Sequence, residues 1–344
     1  MKNILFLTKY FHPHVGGVEA HVQELTKELK SRGYNITIIT NQTESNLPLY
    51  EKTSQFTLYR IPQSSFDKKI STWVWTMQHL PLFWRADVIH AHDVFWWILP
   101  IRFLLFWKKF FITFHGYEGS EVPSDSQIRA HQLWNSLSYG SLAIGDFHNK
   151  WYQMKTSEVS YGAISPTEVK RNVKRSSKLK AVYIGRLAED VGIMDYLKAM
   201  QLLIQKGKEI ELDVYGDGPQ RKEAEIFVQQ NKLPVTFYGF IKNAEEKLPH
   251  YDIAFVSRYL AILSALEQGV SVIAHANNEI KFDYLSLAPF SKWISIVKKP
   301  EEIVEKILQY KKVSSNDAEN WANQQTWKKM ANVYEKMWFG KSEI

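Results

Sequence analysis

The 344-residue chain has no cysteine. Disulfides, thiolate-bound zinc and cysteine nucleophiles are thereby excluded, and the composition agrees with a reducing compartment, so a cytoplasmic location is expected. The N-terminus offers only the short apolar stretch Ile4-Leu5-Phe6-Leu7, too brief for the core of a secretory signal, and it reads instead as a first strand. No G-x-G-x-x-G follows that strand, which disfavours a dinucleotide-dependent dehydrogenase. No Asp-x-Asp pair of the kind that holds a metal on a sugar nucleotide occurs, and neither low-complexity tracts nor short-period repeats appear. No metal and no cofactor are therefore expected.

The length exceeds what one core usually organises, so two domains are the natural expectation. Hydrophobic residues at 45% and charged residues at 23% leave no compositional support for disorder, collagen or coiled coil. A formal charge of +7 points to an anionic partner: nucleic acid, acidic lipid headgroups or a nucleoside diphosphate. No recognised nucleic-acid module is present, so that partner class is not expected.

Along the chain, Ile4–Leu7 reads as a strand, Tyr10–Gly17 as a turn, and Val18, Val22, Leu25 and Leu29 as one face of a helix. Gly33 then suits a helix C-cap, and Ile36–Thr40 supplies a second strand, completing a βαβ unit. Further strands are predicted at Phe56–Ile61, Asp87–His90, Phe111–Phe114 and Leu142–Ile144. From Ala163 to Lys180 the pattern stops at Pro166, paired serines and the basic string Lys170, Arg171, Lys174, Arg175, Lys178 and Lys180, read as a linker. The second half restarts with strands at Ala181–Ile184, Leu212–Tyr215, Val235–Tyr238, Ile253–Val256 and Val270–Ala274. Helices alternate with them near 193–204, 220–231, 260–268 and 300–310. The expected architecture is α/β: a Rossmann-like domain over 1–165 and a second over 178–324, followed by a tail whose helical spacing over Ala318–Trp338 would let it pack on either domain.

Chemistry concentrates at the predicted strand ends. Gly16-Gly17 opens the first helix, where glycine permits close backbone approach and free N–H groups attract phosphate; a tight turn needing positive φ is the alternative. His92 and His115 end two strands, where ligands bind in open α/β sheets. His90 and His92 share a face, but no third metal ligand accompanies them.

These stretches, with Gly185-Arg186-Leu187, Tyr215-Gly216-Asp217-Gly218-Pro219, Tyr238-Gly239-Phe240 and Asp252–Arg258, occur in the order found in glycosyltransferase family 4, which the chain resembles from Met1 to about Ala274 and again in the tail helix. The resemblance implies the GT-B fold, with two Rossmann-like domains facing a cleft and a tail helix near 325–340 that crosses back to the first. It implies a nucleotide-sugar donor held mainly by the C-terminal domain, an acceptor held by the N-terminal one, and anomeric retention without a metal. It places Gly16 and Gly17 on the donor phosphates, His115 at the donor sugar, and Arg186 and Gly216 in the diphosphate site. His92, Trp96 and Trp97 are the acceptor-side candidates. The role of Arg186 also follows from chemistry, because a fixed guanidinium stabilises charge building on a leaving diphosphate.

Four departures accompany the resemblance. The family's lysine five residues after the arginine is Val191 here, and a glycine-rich loop with the first of two glutamates is missing near Ser257–Gly269. Ser264 stands where the second glutamate belongs; Glu267, one helical step further, is the candidate substitute. Downstream, His275–Glu279 replaces a glycine-rich loop, leaving Glu279 as a hydroxyl acceptor. Two readings follow: an active transferase serving a cell-surface or lipid-linked glycan, or an impaired transferase-like protein acting as a binding or regulatory subunit. Finally, the aromatic and basic stretch Val94–Phe110, with Arg102, Lys108 and Lys109, is too short and charged to span a bilayer. It suits either interfacial docking on an anionic membrane or a buried helix.

Overall fold

The computed structural model describes residues 1–64, 67–116, 122–166, 178–208, 210–310 and 316–340. The chain divides into two compact units, one holding Met1–Glu118, Pro123–Ser160 and the C-terminal segment from Trp327, the other holding Tyr161–Thr326. Most of the basic segment read as a linker, 167–177, lies outside the described residues, as do Tyr117 and Glu118. The first unit extends to Ser160 rather than 165, because Ile164 already pairs with Thr326 inside the second.

The first unit carries eight strands: β1 Asn3–Thr8, β2 Asn35–Asn41, β3 Tyr50–Lys52, β4 Thr57–Ile61, β5 Val88–His92, β6 Phe110–Phe114, β7 Gly140–Ile144 and β8 Glu158–Ser160. Their order is β3-β4-β2-β1-β5-β6-β7-β8, parallel throughout except for the antiparallel edge strand β3. The central strands are apolar over their whole length because both faces are covered, and β5, β6 and β7 have no exposed position. Above them the helix Gly17–Ser31 buries Val22, Leu25 and Leu29.

The second unit carries β9 Leu179–Ile184, β10 Ile210–Tyr215, β11 Val235–Gly239, β12 Ile253–Phe255, β13 Ser271–His275 and β14 Ile294–Val297. All are parallel, in the order β11-β10-β9-β12-β13-β14. The helix Ile193–Gln205 packs Tyr196, Leu197, Met200 and Leu203 into the core beneath β9 and β12. The carboxyl ends of β9 to β13 therefore share one edge of the sheet, the edge at which such folds bind ligands.

The apolar spacing over Ala318–Trp338 resolves into two helices, Asn316–Asn323 and Trp327–Phe339, which belong to different units. The second packs on the first unit. Arg32 donates to Asn332 Oδ1 (2.7 Å), Glu335 Oε2 (2.5 Å) and the Lys328 carbonyl (2.8 Å), while Lys336 pairs with Glu158 at 2.7 Å.

Candidate functional site

In the second unit, Arg186 lies in the turn leaving β9. That turn is built by close backbone approach. Gly216 sits at φ +153° with its N–H bonded to the Gly239 carbonyl, and a Cβ there would run into the Gly185 carbonyl oxygen. Tyr183 donates from its hydroxyl to the Arg186 carbonyl at 2.7 Å, and Leu187 N–H bonds the Asp217 carbonyl. Gly216 is thus a residue that lets the β9 and β10 turns touch, and its own surface is buried. Arg186 itself is exposed, and its guanidinium grips Asp190 through Oδ1 at 2.9 Å and Oδ2 at 3.1 Å.

Asp190 also receives the guanidinium of Arg258, from the turn after β12. Beside them Lys281 is fully buried, donating from Nζ to the Ser257 carbonyl at 2.6 Å. Burial first, and then the Arg258 charge, press the Lys281 ammonium well below the usual lysine range, with Asp190 acting in the opposite sense. Arg258 and Asp190 had been assigned no role from the sequence. The i,i+4 spacing of Arg186 and Asp190 was a usable signal for one of them; Lys281, inside the run Ile280–Leu285, gave none.

Glu279, the first residue of the helix Glu279–Ser286, is exposed on the same carboxyl edge, after β13. The adjacent Asn277 amide reaches the Glu189 carbonyl at 3.5 Å, joining this loop to the β9 turn. Glu267 is a correction. It is the last residue of the helix Tyr259–Glu267, whose first residue stands at the site edge, so it lies about 12 Å away along the axis, toward the amino ends of the strands. It does not join Arg186.

In the first unit, Gly16 is the N-cap of the helix Gly17–Ser31 at φ −171°, an extended conformation open to any residue, so the tight-turn reading of the glycine pair does not hold. A Cβ at Gly16 would meet the Glu19 carboxylate, whereas one at Gly17 meets nothing within 4 Å. No side chain caps this helix; Glu19, at its first turn, pairs with His14 at 2.8 Å.

His115, at the carboxyl end of β6, is half-buried. Its backbone N–H donates to Asp93 Oδ1 (2.9 Å), and its Nε2 lies 2.8 Å from His92 Nδ1. Burial and neighbouring histidines, His21 the largest among them, hold it well below the usual imidazole range, so it is neutral near pH 7. His92 is fully buried, and its Nε2 has no hydrogen-bond partner among the described residues. It therefore orients His115 instead of touching an acceptor. Trp97 is likewise corrected: it is a core side chain, packed with Phe95, Ile98 and Phe110, while Trp96 remains half-exposed.

His90 is excluded as a metal ligand by its neighbours. Trp338 Nε1–H, which can only donate, bonds His90 Nδ1 at 3.0 Å; His90 Nε2–H then donates to Thr113 Oγ1 at 2.8 Å. The chain continues from the Thr113 hydroxyl to the Tyr334 hydroxyl at 2.8 Å and from Tyr334 to His21 Nε2 at 2.9 Å. This buried network uses up both nitrogens of His90, and it ties the C-terminal helix to the strand that ends in His115.

The sequence profile of Glycosyltransferase Family 4 matches residues 15–148, and that of the Glycosyl transferases group 1 matches residues 165–326. The GPI3 subunit of phosphatidylinositol N-acetylglucosaminyltransferase from Saccharomyces cerevisiae is 20% identical over 255 residues, 67% of this chain and 56% of that protein. The chain thus spans about half the length of that curated relative. Among solved structures, sucrose-phosphate synthase from Thermosynechococcus elongatus superposes with a TM-score of 0.78 at 15% identity, covering 98% of each chain. Anabaena HepE, solved in complex with UDP and glucose, gives 0.71 at 14% identity over 97% of this chain and 98% of its own.

Proposed function

The chain belongs to glycosyltransferase family 4, and from that membership and its GT-B fold we propose that it is a retaining, metal-independent enzyme using a UDP- or GDP-linked sugar. The acceptor is a cell-surface or lipid-linked glycan. The observation that carries this reading is Arg186: an exposed guanidinium, held in place by Asp190, at the carboxyl edge of a parallel sheet. When the bond between the sugar's anomeric carbon and the diphosphate breaks, negative charge gathers on the departing phosphate oxygens. An arginine already oriented there lowers the barrier without reorganising. His115, neutral and half-buried at the edge of the first sheet, is suited to a hydrogen bond with a sugar hydroxyl.

The test is calorimetric titration with UDP and with GDP; one of them is expected to give a saturable heat. No heat with either favours the second reading, a non-catalytic partner subunit. That alternative draws on Val191 and Ser264 standing where the family has ligand-binding side chains, and on a relative that is itself named as a subunit.

We place this activity at the inner face of a membrane. In the stretch Val94–Phe110, Phe95, Trp97, Ile98, Ile101 and Leu105 are buried, but Phe103, Leu104, Phe106 and Trp107 are exposed, Phe103 by 67% and Phe106 by 72%. Trp84 adds an exposed ring 5.4 Å from Trp107. The cations here are Arg85, Arg102, Lys108 and Lys109, and no acidic residue occurs from Lys68 to Ala86 or from Val94 to Phe110. Exposed aromatic rings beside cations that outnumber the nearby Asp87 suit anionic headgroups. Vesicles rich in anionic lipid are expected to sediment the protein at low salt, and F103S with W107S to abolish this; unchanged sedimentation removes the membrane role. No helix among the described residues is long and apolar enough to cross a bilayer.

A further inference from the structure

Asp190 is shared by two guanidinia from different turns, Arg186 after β9 and Arg258 after β12. Exposure decides what a ligand would meet. The carboxylate is 17% exposed, while the Arg186 and Arg258 side chains are 63% and 40% exposed. A ligand approaching this edge therefore meets two cationic forks with the acid set behind them. We propose that Arg258 is a second ligand for the donor's diphosphate, supplied from the β12 turn, so that Arg186 and Arg258 together grip two phosphates; this rests on the nucleotide-sugar reading above.

Three further observations support the assignment. The position five residues after Arg186, Val191, is 3% exposed and packed in the apolar core, so that position supplies no cation to the site. The backbone that presents Arg258 is held from below: Lys281 Nζ donates to the carbonyl of Ser257, the residue immediately before it. Arg258 is also the N-cap of the helix Tyr259–Glu267, which has no side-chain cap, so the amino end of that helix adds to the positive potential beside the guanidinium. Asp190 has a positioning part here, keeping two flexible arginines side by side before the anion arrives.

The shared carboxylate also makes the assignment specific for two phosphates over one. A single phosphate can satisfy Arg186 and leave the Arg258–Asp190 pair intact, whereas a diphosphate spans both forks.

The experiment titrates wild type, R258Q and R258K with UDP, GDP and the matching monophosphates, after checking by circular dichroism that each variant melts like wild type. With the nucleotide that wild type binds, R258Q is expected to weaken the diphosphate about ten- to a hundredfold and the monophosphate less than about threefold, and R258K to recover part of the diphosphate affinity that R258Q loses. Equal weakening of mono- and diphosphate, or an R258Q variant that binds the diphosphate as wild type does, overturns the proposal while leaving the donor reading in place. If wild type binds neither UDP nor GDP, both fall together. Should R258Q melt early, R258K decides: a loss as large as that on removing Arg186 would show that the site needs this residue's packing and not its charge.

Discussion

Acidification from about pH 7.5 to about pH 4.5 is expected to unfold the first unit, well before its carboxylates are protonated. The cause is the set of buried neutral histidines. His21 and His148 are each pushed down to about 3 by burial, and burial also holds His90, His92 and His115 well below the ordinary imidazole value of 6.5. The unfolded chain takes up protons at these positions as pH falls through about 6.5, and the folded unit does not. Folded values lowered in this way mean that stability is fully present above the unfolded value and is lost as pH drops from there toward 3. Each such group contributes a slope of roughly 1–2 kcal/mol per pH unit within that window. Set against a total stability of about 5–15 kcal/mol, several acting together exhaust it between about pH 6 and pH 5. Melting temperature measured across that range should fall steeply, with loss of the Trp338 fluorescence environment; a flat profile from 7.5 to 4.5 would show that these imidazoles reach solvent.

Arg186→Ala is expected to reduce turnover about a hundred- to a thousandfold, the scale on which one preoriented group stabilising a developing charge acts. Thermal stability should change little, because the guanidinium is exposed and its ion pair with Asp190 lies near the surface. Arg186→Lys keeps a charge but loses the planar two-point grip, so it should recover only part of the rate. The effect should fall chiefly on kcat, since the interaction strengthens as the diphosphate departs. A variant whose rate stays within about threefold of wild type would remove Arg186 from the chemistry.

The legible parts of the fold were those whose burial leaves a mark in one dimension. Continuous apolar runs such as Phe110–Phe114 and Ala181–Ile184 announced central parallel strands, because both faces are covered. The three-residue edge strands Tyr50–Lys52 and Glu158–Ser160 carry no such run and were invisible. The helix Asp125–Leu137 was missed for lack of an apolar stripe, although its start was signalled by the capping box of Ser124 and Gln127. At the site, the strand-end rule picked out His115, while Arg186 and Glu279 came from the ordered motifs of the family resemblance. Helix direction, which the spacing of Glu267 from Ser264 does not supply, removed Glu267. Periodicity says nothing of depth, so His92 and Trp97 read as available although both are covered on every side. The Arg258–Asp190 pair spans 68 residues and two turns, and only the packing of β9 against β12 brings it together.

The proposed function requires the second unit to hold a sugar nucleotide while the glycosyl–phosphate bond breaks. The most direct measurement is nucleoside diphosphate released from a panel of UDP- and GDP-sugars, supplied with anionic vesicles carrying candidate lipid-linked acceptors. Release is expected from one donor family, dependent on acceptor and nearly absent in Arg186→Ala. No release from any donor, or equal release by wild type and variant, would contradict it.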